Sequence, residues 1–283
     1  MKTTFEDVTM SGGVALRVAR FEPETKPKGV VQFVHGFGEH VGMYEPLAQF
    51  FAGHGYAFVI HDQRGHGAMQ DKTPAQRAKA LGVVPAYQCF LDDITTLRGR
   101  IDEWFPGVRV ILGGLSMGGN IVANYLERTP GPRYERAIIE SPWLRLAKPM
   151  PGAVTALARV IGKATPSLAI ASGLNLDVVT RDRQETAKLK ADPLYHGRIS
   201  FRLYSQILEA GEYAIAHAAD IKLPALLMTG TSDQIVSVAA IRELASHAGP
   251  NLTLREYDGG FHCLHYDSNK AEVQADMLGF CDL

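Results

Sequence analysis

Short runs of apolar and β-branched residues, each followed by an amphipathic stretch, constrain this chain more than any other feature. Residues 30–34, 57–60, 108–112, 137–139 and 225–228 are too uniformly apolar to face water on one side, and read as strands covered on both faces. Helical patterns lie among them over residues 44–52, 87–104, 117–127, 238–247 and, at the end, 270–278. Such alternation implies right-handed crossovers and an α/β architecture built on an open, mostly parallel, doubly wound sheet. Ahead of it, residues 5–21 alternate about Ser11-Gly12-Gly13, which predicts an antiparallel hairpin at the N-terminus. Ligands bind such sheets beyond the carboxyl ends of the strands, so function is to be sought in the segments that leave each run.

Composition narrows the classes of function. The chain has 283 residues, is 46% hydrophobic and 21% charged, and carries a formal net charge of -1 without a basic stripe. Nucleic-acid affinity rests on clustered Lys and Arg neutralising phosphates, so no nucleic-acid partner is expected and a small neutral substrate fits better. Cys89, Cys263 and Cys281 form neither a disulfide framework nor a zinc pattern, and read as free thiols; no metal site is expected. The first residues lack a signal-like apolar segment and no run of about 18 apolar residues occurs, so the expected location is cytoplasmic. Oligomeric state is not specified.

Residues 143–222 break the rhythm. They hold several prolines and no clear central strand, and a helical pattern over 151–163 puts Val154, Leu157, Ala158 and Ile161 on one face. This stretch reads as a helical cap, or lid, inserted into a core domain made of residues 1–142 and 223–283. Its Ala-Leu stripe is expected to pack against the chain's own core; an apolar cap surface could also dock lipid aggregates, so membrane contact is open but not indicated.

Gly114-Leu115-Ser116-Met117-Gly118 matches G-x-S-x-G, a weak signal by itself. Its context is stronger, because an apolar strand runs into it and a helix-compatible stretch leaves it. The bland reading of Ser116 is a helix N-cap. A serine nucleophile needs a base within hydrogen-bond reach and an acid that holds the base in the right tautomer. Asp233 follows the run 225–228 through Thr229-Gly230-Thr231-Ser232, with a turn-forming Asx as its alternative; Asp258 and Asp220 are less well placed. His262 follows a strand over 252–257 and the turn Asp258-Gly259-Gly260, whereas His265 lies at the entry to the last helix and reads as packed or solvated. The oxyanion donors of such a site are main-chain N–H groups, here those of Met117 and Phe37, the latter in the loop after the run 30–34.

With these residues in place, the chain resembles the monoacylglycerol lipase and lysophospholipase branch of the α/β-hydrolases, often grouped with serine aminopeptidases. His35-Gly36-Phe37-Gly38-Glu39-His40 is similar to its HGxGEH loop, Asp62-Gln63-Arg64-Gly65-His66-Gly67 to its DxRGHG loop, and Asp192-Pro193-Leu194 to a DPL element near the end of its caps. The resemblance runs from about Gly29 to the C-terminus. It implies Ser116, Asp233 and His262 as a triad, with Phe37 and Met117 as oxyanion donors. The chain departs from the pattern at Ala68-Met69, where a small residue and serine usually follow DxRGHG. Arg64 and His66 read as braces of that loop.

The expected reaction is two-step acyl transfer through a serine ester, which requires no cofactor. Monoacylglycerol or a related lipid ester is the leading substrate class. A carboxylesterase for short-chain or aryl esters uses the same residues; an aminopeptidase would need acidic cap residues, for which Glu185, Glu209 and Glu212 are the candidates. A protein of another class, one that binds ligands on this fold with little turnover, remains open on fold alone.

Overall fold

In the computed structural model, which describes residues 1–129 and 134–283, the expected hairpin is formed by β1 (Lys2–Thr9) and β2 (Ala15–Glu22). The turn between them passes through Gly12 and Gly13 at φ 68° and 76°, which glycine adopts without steric cost. Then come β3 (Gly29–Val34), α1 (Glu45–Gly53), β4 (Tyr56–His61), α2 (Pro74–Ala80), α3 (Gln88–Trp104), β5 (Val110–Leu115), α4 (Met117–Arg128) and β6 (Arg136–Glu140). The 143–222 stretch contributes α5 (Gly152–Ala164), β7 (Ala169–Ala171), α6 (Arg183–Ala191), β8 (Arg198–Ser200) and α7 (Phe201–His217). The chain closes with β9 (Ala225–Gly230), α8 (Val238–His247), β10 (Leu252–Tyr257) and α9 (Lys270–Asp282).

Eight strands form one sheet in the order β1-β2-β4-β3-β5-β6-β9-β10, parallel from β4 to β10 and antiparallel at β1 and β2. Alternate strand residues serve the two layers, as a pleated strand covered on both faces requires. Val30, Ala57, Val59 and Leu112 join one core with Ile94 of α3, Ile121 of α4, Ile207 of α7 and Leu244 of α8. Val31, Phe33, Phe58 and Ile111 join the other with Leu47 and Phe51 of α1 and Met277 of α9. Phe58 is fully buried and stacks on Phe33 and Phe51 at 5.5 and 5.8 Å, so truncating it to alanine would cost about 3–5 kcal/mol.

Elements between β6 and β9 are mainly helical, as expected. β7 and β8 pair only with each other and lie outside the large sheet. The Asp192-Pro193-Leu194 element ties this stretch to the loops at the sheet end. Asp192 Oδ2 lies 2.9 Å from His40 Nε2, the His196 N–H donates to the Gly38 carbonyl at 3.0 Å, and the Ser200 N–H to Gly82 at 2.9 Å.

One expectation about this stretch is overturned. The face of α5 bearing Val154 and Leu157 does not pack on the core: these residues are 43% and 58% exposed, with Val160 at 63%. Of the four residues on that face Ala158 is buried, with Gly162 beside it. A Cβ on Gly162 would come within 2.7 Å of the Arg202 amide nitrogen, so the contact with α7 is made by small residues at close approach and the larger apolar ones are left outside.

Candidate active site

β5 ends at Leu115 and α4 begins at Met117, so Ser116 alone makes the turn. It does so at φ 57° and ψ -115°, a conformation that costs a non-glycine residue about 1–3 kcal/mol. Two close approaches force this geometry. A Cβ on Gly118 would lie 2.0 Å from the Val34 carbonyl oxygen, and one on Gly114 would lie 2.6 Å from that of Gly118. Only glycine at both positions lets α4 seat directly on the strand ends. The Ser116 side chain accepts no capping hydrogen bond, which sets the N-cap reading aside. Its N–H donates to the Glu140 carbonyl at 2.9 Å, and its own carbonyl accepts the Asn120 and Trp143 N–H groups, each at 2.9 Å.

Asp233 and His262 leave the ends of β9 and β10 and meet, with Oδ2 2.7 Å from Nδ1 and both side chains buried. The other carboxylate oxygen of Asp233 accepts the N–H groups of Ile235 and Val236 at 2.7 and 3.0 Å. Because the carboxylate accepts, Nδ1 carries the proton and Nε2 is left as the basic nitrogen. Burial by itself lowers the His262 pKa; the Asp233 charge and hydrogen bond, helped by Glu39 and Glu140, outweigh it, and the pKa is raised. This Asp233–His262 arrangement can take a proton on one side and stabilise the resulting imidazolium on the other.

A second histidine–carboxylate pair lies beside the first. Glu140 Oε2 is 2.7 Å from His265 Nδ1, Oε1 accepts the His265 N–H at 3.1 Å, and both side chains are fully buried. His265, expected at the entry to the last helix, stands in the short turn Leu264–Tyr266 before α9, packed on Tyr266 and Tyr44. Sequence reasoning passed over Glu140; the signal available was a carboxylate closing an apolar run at a strand's carboxyl end. Glu39 belongs to the loop of residues 35–40 that follows β3. Its Oε2 accepts the Gly36 N–H at 2.6 Å and the Tyr44 hydroxyl at 2.5 Å, while burial raises its pKa against the effect of both bonds.

Ser116 and His262 line one cavity of about 520 Å³, together with Phe37, Trp143 and Tyr195, and His265 is not in its wall. Leu146, Met150, Val154, Ile170 and Phe201 from the 143–222 stretch make its far side apolar. Among the described residues, neither the Phe37 nor the Met117 main-chain N–H meets an acceptor. The Trp143 Nε1 and the Tyr195 hydroxyl are likewise buried without a partner among the described residues. Glu39 is the acidic residue of the wall. Glu212 is forked onto Arg145 at 2.6 Å, Glu209 pairs with Arg159 at 3.2 Å and Glu185 with Lys188 at 2.9 Å, and none of the three lines the cavity. Arg64 makes two 2.7 Å bonds to the buried Asp93 of α3, and His66 Nδ1 lies 3.0 Å from the Arg64 carbonyl; both residues are outside the cavity wall.

Comparison with known proteins agrees with this architecture. Residues 25–269 match the family model described as serine aminopeptidase, S33. The chain is 32% identical over 271 residues to the monoacylglycerol lipase of Mycolicibacterium smegmatis, covering 95% of this chain and 93% of that one. It is 27% identical over 264 residues to a phospholipase of Bacillus subtilis, covering 91% and 96%. Among solved structures, the crystal structure of Paleococcus ferrophilus monoacylglycerol lipase is similar at a TM-score of 0.82 and 29% identity, covering 94% of this chain and 97% of that one. With a family model that spans most of its length and a solved relative of the same fold, the chain belongs to the serine aminopeptidase S33 family of α/β-hydrolase-fold enzymes.

Proposed function

We propose that the chain hydrolyses carboxylic esters with an apolar acyl chain, monoacylglycerols or related lipid esters, with Ser116 as nucleophile, His262 as general base and Asp233 as the acid that orients it. The observation that carries this reading is that Ser116 and His262 share the wall of one largely apolar cavity while Asp233 holds the far nitrogen of the imidazole at 2.7 Å. In the first step Ser116 Oγ attacks the ester carbonyl as its proton passes to His262 Nε2. The oxyanion is received by the Phe37 and Met117 N–H groups, each such donor contributing on the order of 3 kcal/mol to the transition state. Collapse expels the alcohol, which takes the proton from His262. Water, deprotonated by the same imidazole, then attacks the acyl-serine and releases the acid.

Two relatives are named for lipid esters, a monoacylglycerol lipase and a phospholipase, which supports the substrate class. Engagement of Glu185, Glu209 and Glu212 elsewhere argues against an aminopeptidase. A cytoplasmic setting is part of the same reading, supported by the three unpaired cysteines.

Residues 143–222 act in this reading as a cap whose lip meets an anionic lipid surface. Six of the nine exposed large apolar side chains among the described residues lie between Met150 and Ile170, and Met150, Val154 and Ile170 also line the cavity. From residue 145 to 176 no residue is acidic, and Lys148 and Lys163 have no acidic partner among the described residues. Among those residues no helix is long and apolar enough to cross a membrane. Exposed apolar side chains in a stretch that carries Lys148 and Lys163 and no acidic residue suit the boundary of a bilayer or micelle with anionic headgroups, from which an acyl chain enters the cavity.

The test is hydrolysis by wild type and Ser116→Ala across esters of increasing acyl length, with monoacylglycerols and an aminoacyl amide in the panel. Medium and long acyl esters are expected to be cleaved, with a loss of about three or more orders of magnitude in kcat on removing Ser116. A short-acyl preference transfers the reading to a carboxylesterase. An inactive wild type, or an alanine variant as active as wild type, overturns the hydrolase reading in favour of ligand binding or another chemistry.

A further inference from the structure

Glu140 touches both halves of the site. Its register partner in β5 is Leu115, and the ladder continues one step past the strand through the 2.9 Å bond from the Ser116 N–H to the Glu140 carbonyl. On its other side Glu140 is registered with Met228 of β9, and the next residue, Ser141, leaves the sheet at φ 40° with its N–H on the Met228 carbonyl at 2.8 Å. The backbone of Glu140 is therefore held from two strands. Its carboxylate takes both the main-chain N–H and the ring of His265, three residues beyond His262 in the same loop.

Packing gives no reason for a carboxylate there. The surroundings on that face of the sheet are Phe33, Tyr44, Ile138 and Leu264, all buried, and an isolated buried charge is expensive. Replacing a buried, mutually hydrogen-bonded polar pair by apolar residues of similar volume is often neutral or stabilising, so the pair is weak evidence of a stability role. What the pair supplies is geometry. The loop from 258 to 267 is fastened at Phe261, whose N–H donates to Asp267 at 2.9 Å, at His262 by Asp233, and at His265 by Glu140. Of these fastenings, the one at Glu140 refers the loop to the same residue that holds the nucleophile.

Building on the proposed triad, we infer that Glu140 and His265 are positioning residues: Glu140 registers the Ser116 turn through its carbonyl and the His262 loop through its carboxylate, so that nucleophile and base are set against one common residue. The expected consequence of releasing the loop is misalignment in the reacting geometry with substrate binding little changed. Displacements of about 1 Å at such a distance from the chemistry cost about 10²-fold.

The experiment compares kcat and KM on a soluble short-chain ester for wild type, Glu140→Leu, His265→Leu, His265→Asn and the double variant Glu140→Leu/His265→Leu. Folded sites are counted by titrating Ser116 with a fluorophosphonate. Glu140→Leu and His265→Leu are expected to lose about 10- to 100-fold in kcat per labelled site at a KM within about twofold of wild type, and the double variant no more than either single. His265→Asn, whose side-chain amide places a donor where Nδ1 stood, is expected to recover most of the loss. Unchanged kcat in Glu140→Leu, additive losses in the double variant, or an asparagine variant no better than the leucine one overturns the inference. If Glu140→Leu yields no labelled enzyme, the contrast between His265→Asn and His265→Leu decides alone. Failure of the hydrolase reading is separately visible as a wild type without Ser116-dependent turnover.

Discussion

Asp233 grips His262 with one oxygen while its own position is set by the other: Oδ2 lies 2.7 Å from His262 Nδ1, and Oδ1 accepts the N–H groups of Ile235 and Val236 at 2.7 and 3.0 Å. An asparagine in this place would keep the shape and the two main-chain bonds yet present an amide that selects the wrong imidazole tautomer. Asp233→Asn is therefore expected to lower kcat by about 10⁴-fold on a soluble ester, with KM near that of wild type and, at a pH above the folded His262 pKa, a thermal unfolding curve close to that of wild type.

Activity and stability respond to pH in opposite directions at His262. Its pKa in the folded protein is raised above 6.5, burial being outweighed by Asp233 and, further off, by Glu39 and Glu140. Catalysis in the proposed mechanism needs the neutral ring, so kcat/KM is expected to fall on acidification with a midpoint above 6.5. The stabilising contribution of the charged ring is full below the unfolded pKa and disappears as pH rises through the folded one. In Asp233→Asn the midpoint of the residual activity should move to lower pH. A midpoint that stays in place would remove Asp233 as the origin of the shift.

Arg64 and Asp93 brace the loop that follows β4, from outside the cavity. Asp93 is fully buried and receives two 2.7 Å bonds from the guanidinium. Arg64→Met leaves that carboxylate without its partner and is expected to cost about 3–5 kcal/mol in denaturant unfolding, whereas Arg64→Met with Asp93→Leu recovers most of it. Equal losses in the single and double variants would mean that the guanidinium stabilises through packing.

Leu157 and Val160 are the most exposed apolar residues of α5 and do not line the cavity. Exchanging both for aspartate removes about 1.5 kcal/mol or more of apolar transfer per side chain and adds charge of the wrong sign. The variant is expected to bind vesicles of phosphatidylcholine with phosphatidylglycerol at least about tenfold more weakly than wild type and to hydrolyse a soluble short-chain ester at the wild-type rate. Wild type should bind pure phosphatidylcholine vesicles less tightly than the anionic ones. Equal binding of variant and wild type would show that this face does not meet lipid.

Much of this architecture was legible before any coordinates. Apolar runs marked five strands of the sheet, and the periodic stretches between them marked α1, α3, α4, α8 and α9, because burial on both faces leaves a nearly continuous hydrophobic signature. α2 and the small β7–β8 pair left no such trace: α2 is short and has no buried residue, and β7 and β8 are three residues each within the 143–222 stretch. Helical periodicity likewise identified α5 and misjudged its apolar face, since periodicity reports that one side differs from the other and not what covers it.

The sequence by itself determined where Ser116, Asp233 and His262 stand, each just past the carboxyl end of a strand, because turn glycines and strand runs are local signals read over a few residues. That His265 meets Glu140 and leaves Asp233 to His262 was decided by tertiary structure. Asp233 and Glu140 are 93 residues apart in the chain, His262 and His265 only three, and it is the order of β6, β9 and β10 in the sheet that gives each histidine a different acid. The outward face of α5 was decided in the same way, by the depth to which Gly162 lets that helix sink against α7. Local sequence encodes local geometry, whereas these pairings depend on long-range packing that no window of the chain contains.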